Sequence, residues 1–382
     1  MSYTVNRCAA VIDLAALGAN LRTVRSAAGA AQVMAVVKAD AYGHGMGPVA
    51  RAARAHGATW LGVALPSEAL ALRAHGDEGP VLAWLWAPGD PSLPACVRSG
   101  VSMSVSSVWA VEDVVAAARQ VGRMAHVHIK VDTGLSRNGA SPAQYPDVLD
   151  AVARGRDEGV LDVQGIWSHF ADGDVPGAGT VVRQQERFEE ALAVASARGI
   201  DPPLRHLANS GALFAHPGAH YDLVRVGIAM YGLSPNPGLG SAADLGLTPV
   251  MSLVARLAQV KGIAAGTAVS YGGTWSAARE TAVGLVPVGY ADGVPRAAGN
   301  AAEVGIAGRR HPIVGRVAMD QFVVDLGDGD LPFVGDEVRL FGPGSHGEPT
   351  ADEWADRVGT IGYEIVTRIG PRVPREYTGV GA

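Results

Sequence analysis

Residues 59–86 read TWLGVALPSEALALRAHGDEGPVLAWLW, and three textures follow one another along that stretch. TWLGVAL (59–65) is a short apolar run. PSEALALRAHG (66–76) places apolar residues at helical spacing, opened by a proline and closed by a glycine, and VLAWLW (81–86) is apolar again. Continuous apolar runs on either side of an amphipathic helix are what parallel strands buried on both faces require. The alternation extends outward in both directions. QVMAVVK (32–38) precedes it, and VSMSVS (101–106), AHVHIKV (125–131), VQGIWSH (163–169), LRHLAN (204–209) and DLVRVG (222–227) follow, with WAVEDVVAAARQVG (109–122) as a clear intervening helix. Eight such runs between residues 32 and 227 fit a TIM-like (β/α)8 barrel better than an open doubly wound sheet. No G-x-G-x-x-G follows the first run, which weakens a dinucleotide-binding alternative.

Beyond residue 240 the texture changes. The segment from Leu233 to Gly246 is rich in Pro, Gly and Ser and reads as a linker. SLVARLAQVKGI, TAVGLVPVGYADG, EVGIAGRRHPIVGRV, DQFVVDLGDGD and DEVRLFG then read as short strands with frequent turns. One helix interrupts them, opened by Thr350 with Glu353 three residues on, a capping-box pattern. The expected division is an α/β barrel over residues 1–240 and a mostly β C-terminal domain over 241–382.

Composition narrows the function classes. The 382 residues are 48% apolar and only 18% charged, enough apolar content for a large core and too much for a disordered chain. No apolar run comes near the ~18 residues that span a bilayer. Arg7 and Asp13 interrupt the one apolar stretch near the N-terminus, so no secretion signal is expected. A net charge of −6 without a basic cluster argues against nucleic-acid binding. Two cysteines, Cys8 and Cys96, cannot make a disulfide framework or a four-cysteine metal site. A soluble cytoplasmic protein is the expectation.

The basic residues carry a further clue. Only Lys38, Lys130 and Lys261 among the 31 are lysine, as a GC-rich coding bias would produce, so a surviving lysine is a candidate for a position that needs its amine. Lys261 sits in an ordinary polar stretch. Lys38 ends the first apolar run and Lys130 lies one residue from the end of the fifth, where barrel enzymes carry their chemistry; Arg137, His169, Asn209-Ser210 and Arg225 fall at corresponding ends. An amine leaving an apolar strand is partly desolvated, which lowers its pKa and suits a Schiff base or a general base. His126, His128 and Lys130 share strand parity and so face the barrel interior. A His-x-His metal site lacks a convincing third ligand, and satisfied interior histidines are the better reading. A buried ammonium is costly unless paired; carbamylation by CO2 would turn Lys130 into an anion able to hold Arg137. Ser210, with the backbone N–H groups at Gly227-Ile228, suits a phosphate, although an ordinary helix-capping serine is the commoner case.

Taken together, these residues resemble the alanine racemases, pyridoxal-phosphate enzymes built as a barrel plus a β domain. The resemblance lies in AVVKADAYGHG (35–45), KVDTGLSRNG (130–139), SHFA (168–171), ANSGA (208–212), DLVRVGIAMYG (222–232), VSYGGTW (269–275), VGYADG (288–293), GRVAMDQ (315–321) and IGYEIVTRIGPRVPR (361–375), in order along nearly the whole chain. It implies that Lys38 holds pyridoxal 5′-phosphate as a Schiff base and is one catalytic base, and that Tyr271 is the other, reaching the site from the second subunit of a homodimer. Tyr42, Ser210, Tyr363 and the N–H groups of Gly227 and Ile228 would hold the phosphate, and Arg225, backed by His169, would face the pyridine nitrogen. Arg137, oriented by carbamylated Lys130, would contact the ring oxygen and the substrate carboxylate. Met319 and Asp320 would come from the partner chain, and Asp174, Tyr290 and Arg296 match positions lining the approach to the site.

Racemisation removes a proton from one face of a planar carbon and returns one to the other, so two opposed bases are needed, and an amine and a phenol provide them. The sequence departs from common family residues at Ala318, Leu135 and Gly362. None of these removes a group with a proposed chemical role, but small residues near Met319 and Tyr363 leave substrate breadth open. The implied function is interconversion of L- and D-alanine, supplying D-alanine for the peptidoglycan of the cell wall. The alternatives are a broader-specificity racemase, a decarboxylase or aldolase acting on amino acids, and a non-catalytic pyridoxal-phosphate-binding protein.

Overall fold

The computed structural model describes residues 7–379. Eight parallel strands form the barrel: Gln32–Val36, Trp60–Val63, Val81–Ala83, Ser102–Val105, Ala125–Lys130, Leu161–Trp167, Leu204–His206 and Leu223–Val226. Each overlaps one of the eight apolar runs. The first seven pair in chain order and the eighth pairs with the first. The remaining seam, between seventh and eighth, is closed by the Asp222 N–H donating to the Arg205 carbonyl and the Arg225 N–H to the Ala208 carbonyl, both at 3.0 Å.

Helices follow the first seven strands: Met46–Ala55, Pro66–Ala74, Leu93–Arg98, Val108–Val121, Tyr145–Asp157, Gly179–Ser196 and Ser210–Ala215. The eighth strand leads instead into a 3-10 turn, Ile228–Tyr231. The outer position that a helix would fill there is taken by Leu14–Ala28, which packs against Met46–Ala55, Ser210–Ala215 and that turn. Its buried Leu14, Leu17, Leu21, Val24 and Ala28 recur every three or four residues, giving the apolar stripe such packing needs. Fully burying each of these leucines contributes about 1.5–3 kcal/mol. Asp13 starts the helix by accepting the Ala15 and Ala16 N–H groups on its carboxylate.

The second unit is a nine-stranded sheet, in the order Gln259–Ile263, Thr281–Val286, Phe322–Gly327, Arg309–Val314, Glu303–Ile306, Glu337–Phe341, Met251–Arg256, Cys8–Asp13 and Arg375–Thr378. Neighbours are antiparallel except the last two, which run parallel. Here the expected division needs correcting: Cys8–Asp13 belongs to this sheet and not to the barrel, paired with Met251–Arg256. Of the two residues that interrupt the apolar stretch in the sequence, Arg7 immediately precedes this strand and Asp13 ends it. The helix expected after Thr350 is Ala351–Val358, with both capping-box bonds formed between Thr350 and Glu353. A second short helix, Gly362–Thr367, follows it and was not anticipated. Among the described residues no helix is long and apolar enough to cross a membrane.

The barrel interior is layered. Met34, Trp60, Leu82, Leu204 and Leu223 form an apolar plug. His128, His206, Lys130 and Arg225 are buried polar residues between that plug and the C-terminal rim. His126, on the same strand, pairs with Asp162 at 2.9 Å, so the two histidines of the His-x-His pair turn to different partners.

Candidate active site

The first barrel strand delivers Lys38, and the backbone beyond it is unusual. Ala39, Asp40, Ala41 and Tyr42 have φ of 53°, 52°, 54° and 54°, one turn of left-handed helix. Left-handed geometry costs roughly 1–2 kcal/mol per non-glycine residue, so the turn must be held from outside. Glu68 Oε1 accepts the Ala39 N–H at 2.6 Å, while its Oε2 accepts the Ala64 and Leu65 N–H groups at 2.9 and 3.0 Å. Asp40 Oδ1 accepts the Met46 N–H at 2.7 Å. His44 Nδ1 lies 3.0 Å from the carbonyls of both Ala41 and Tyr42, so that nitrogen must carry the proton. Burial lowers the His44 pKa to about 4, leaving the ring neutral. From the C-terminal strand, Arg375 donates to the Gly43 carbonyl at 3.0 Å and Tyr377 to that of His44 at 3.2 Å.

Lys38 and Tyr42 both line a cavity of about 630 Å³ at the C-terminal rim, where Lys130, Arg137, His169, Ser210, Arg225, Gly227, Ile228 and Tyr363 also meet. Sequence reasoning named all of these. It missed Trp84 and Trp167, which line the same cavity. Strand alternation held the signal, since Leu82 and Trp84 share parity in the third run and Gly165 and Trp167 in the sixth.

Burial, the nearby Arg137 charge acting with it, lowers the Lys38 pKa, and Glu68 partly opposes the shift. Lys130 is 5% exposed, with its amine 4.3 Å from the centre of the Trp167 ring. Burial, then the charges of Arg225 and Arg137, lower its pKa to about 7. A large fraction of this amine is therefore neutral and nucleophilic near neutral pH.

Arg225 reaches across the barrel top. Its Nη1 donates to the His206 carbonyl at 3.0 Å, and its Nη2 to the carbonyls of Ser168 at 2.8 Å and Leu207 at 3.2 Å. Its guanidinium lies 4.7 Å from the centre of the Trp167 ring, which stacks flat on His206. Burial lowers the Arg225 pKa only to about 9, so it stays charged at neutral pH. A guanidinium can only donate; His169 Nδ1, at 3.1 Å, and His206 Nδ1, at 3.3 Å, must therefore be acceptors. His206 Nε2 then carries a proton and donates to His128 Nδ1 at 2.9 Å. The bond directions run one way, from Arg225 through His206 to His128, and all three imidazoles are held neutral mainly by burial. Gly165 makes room for this column, because a Cβ there would sit 2.4 Å from His128 Nδ1.

Ser210, Gly227 and Ile228 line the same cavity as Lys38. Ser210 opens its helix, Asn209 caps it, and Ser210 Oγ accepts the Gly227 N–H at 3.0 Å. A Cβ on Gly227 would lie 2.3 Å from the Tyr42 hydroxyl, so only glycine fits. Burial raises the pKa of both Tyr42 and Tyr363, which keeps their phenols protonated and able to donate.

The remaining expected residues do not line this cavity. Tyr271, Tyr290 and Met319 stand on the β domain, 72%, 43% and 53% exposed, with Asp320 and Arg296 also exposed. The Tyr271 turn is tied to the segment leading to Met319, because Ser270 Oγ donates to the Arg316 carbonyl at 2.6 Å. Asp174 packs against Gly211 and accepts from Asn236 at 3.1 Å. Gly362 does not line this cavity either: a Cβ there would meet Asp352 at 2.1 Å and Leu233 at 2.7 Å.

Comparison with known proteins follows the same two-part division. The chain matches the alanine racemase N-terminal domain over residues 12–235 and the alanine racemase C-terminal domain over residues 250–377. It is 54% identical over 371 residues to a Frankia casuarinae protein named alanine racemase, covering 97% of this chain and 96% of that one. The crystal structure of alanine racemase from D-cycloserine-producing Streptomyces lavendulae superposes with a TM-score of 0.96 at 50% identity, covering 98% of each chain. The Bartonella henselae enzyme, solved with covalently bound pyridoxal phosphate, gives 0.86 at 30% identity, covering 98% of this chain and 100% of that one.

Proposed function

The chain belongs to the alanine racemase family, and from that membership we propose that it interconverts L-alanine and D-alanine with pyridoxal 5′-phosphate as its cofactor. The observation that carries this is the cavity itself, which a desolvated lysine shares with Ser210, Gly227 and a buried guanidinium. The donor set fits the group. Lys38 would hold it covalently; Ser210, Tyr42, Tyr363 and the N–H groups of Gly227 and Ile228 would take its phosphate; Arg225 would face its ring nitrogen. When bound, the cofactor supplies the electron sink that makes an α-proton removable.

The protein decides where protons go. Lys38, its pKa lowered by burial, takes or returns the proton on one face, and Tyr271 of a second subunit serves the other. Arg225 keeps its own protons at neutral pH and so offers only donors to the atom it faces. His169 cannot supply a proton in its place, because burial and the surrounding cations hold it neutral. Arg137 holds the substrate carboxylate, oriented by carbamylated Lys130, whose amine at about pH 7 is suited to adding CO2.

This reading makes the enzyme a homodimer with shared sites, in which Tyr271, Met319 and Asp320 complete the partner's cavity while Tyr290, Arg296 and Asp174 line the approach. The exposure of Tyr271, Tyr290 and Met319, on segments of the β domain hydrogen-bonded to one another, supports it. A cytoplasmic source of D-alanine for peptidoglycan is the corresponding role. The test is a chiral assay of purified protein with L-alanine, with and without added pyridoxal phosphate. Cofactor-dependent appearance of D-alanine is expected; a protein that carries the cofactor yet never scrambles L-alanine would be a binder and not a racemase.

A further inference from the structure

Outside the cavity, one buried carboxylate has more partners than any turn requires. The Asp292 side chain is wholly buried, yet Arg7 grips both its oxygens, Arg372 Nε approaches at 3.3 Å and the Gly289 N–H donates at 2.9 Å. Burial alone would raise this carboxyl's pKa, but the Arg7 and Gly289 hydrogen bonds and the Arg372 charge outweigh it and hold the pKa below the usual range. Such an ion cluster is costly to bury, and well-packed apolar residues often serve stability as well.

Its connections lead to the residues the β domain is proposed to lend. The turn from Gly289 to Gly293 carries Tyr290, whose N–H donates to the Ala318 carbonyl at 3.1 Å, while the Ala291 N–H donates to the Met319 carbonyl at 3.0 Å. Gly289 lies so close to this segment that a Cβ would sit 2.4 Å from both carbonyl oxygens. On the other side Arg372, already on Asp292, donates to Asp320 at 2.8 Å. Arg7 is fixed in turn by the Pro287 carbonyl at 2.6 Å.

We infer that Asp292 is a positioning residue for the partner's active site, its carboxylate fixing Tyr290 through the Gly289 turn and Met319 and Asp320 through that turn and Arg372. The inference rests on the shared-site reading above. It makes the reach of the β domain depend on a carboxylate that itself touches no substrate.

Hybrid dimers test it. In a hybrid of a Lys38→Ala chain with a chain that keeps Lys38, only the barrel with Lys38 turns over, and it borrows the β domain of the Lys38→Ala chain. Asp292→Asn placed on the Lys38→Ala chain is expected to lower kcat/KM on the order of tenfold relative to the same substitution on the other chain, mainly through KM. Arg372→Gln, which leaves Arg7 and Gly289 on Asp292, should show the same asymmetry to a smaller extent, so a misfolded Asp292→Asn chain does not end the test. Hydrogen exchange at the Tyr290 and Ala291 amides should quicken in both variants. Equal losses in the two arrangements, or unchanged exchange, would overturn the assignment and leave Asp292 a stabilising residue only. A reference hybrid of Lys38→Ala with Tyr271→Phe reports on the shared site separately; if it is inactive, the underlying reading fails and the role of Asp292 with it.

Discussion

At Lys38, Lys130 and Gly227 a single group decides what the cavity can do. Lys38→Ala is expected to abolish the borohydride-sensitive yellow colour of the purified protein, and a labile chromophore that persists would refute the covalent role of that amine. Lys130 makes a pH prediction. Only its neutral form adds CO2, and with a pKa of about 7 the neutral fraction rises through neutrality and falls below it. A carbamate resonance from 13C-bicarbonate, lost in Lys130→Met, should therefore be strong near pH 8 and fade as the pH drops below about 7; a protein that shows none would leave Arg137 without its proposed partner. Gly227→Ala is expected to weaken cofactor retention at least tenfold, because its Cβ would collide with the Tyr42 hydroxyl. Unchanged retention on dialysis would mean that the cradle tolerates a shift.

Most barrel strands were legible as apolar runs because burial on both faces leaves little polar alternation, and two that do alternate, Ser102–Val105 and Ala125–Lys130, are buried nearly throughout. The left-handed turn after Lys38 was not legible, since Ala39, Asp40 and Ala41 carry no glycine to announce positive φ. Its geometry is imposed by Glu68, Arg375 and Tyr377, which lie far off in the sequence. The same holds for the strand Cys8–Asp13, whose partners are residues 251–255 and 375–378. Glu68→Ala removes one acceptor from three backbone N–H groups. It should cost about 1–3 kcal/mol of stability and loosen the turn, and calorimetry together with cofactor dialysis would show both. No change in either would mean that His44 and Asp40 suffice.

On the scale of the whole molecule, the chain separates its chemistry into two surfaces. The barrel gathers Lys38, Arg225, Ser210 and Gly227 into one cavity, while the β domain exposes Tyr271, Tyr290 and Met319. On the proposed reading neither surface is a racemase site by itself, and a two-fold dimer would join the barrel of each chain to the β domain of the other. Sequence spacing could locate both sets but could not bring them together, because the contact proposed here runs between chains. The direct measurement is activity in mixed dimers of Lys38→Ala and Tyr271→Phe. Each homodimer should be crippled, and verified heterodimers should regain turnover at the one of their two sites that holds both the lysine and the phenol. Heterodimers as inactive as either parent would contradict the account.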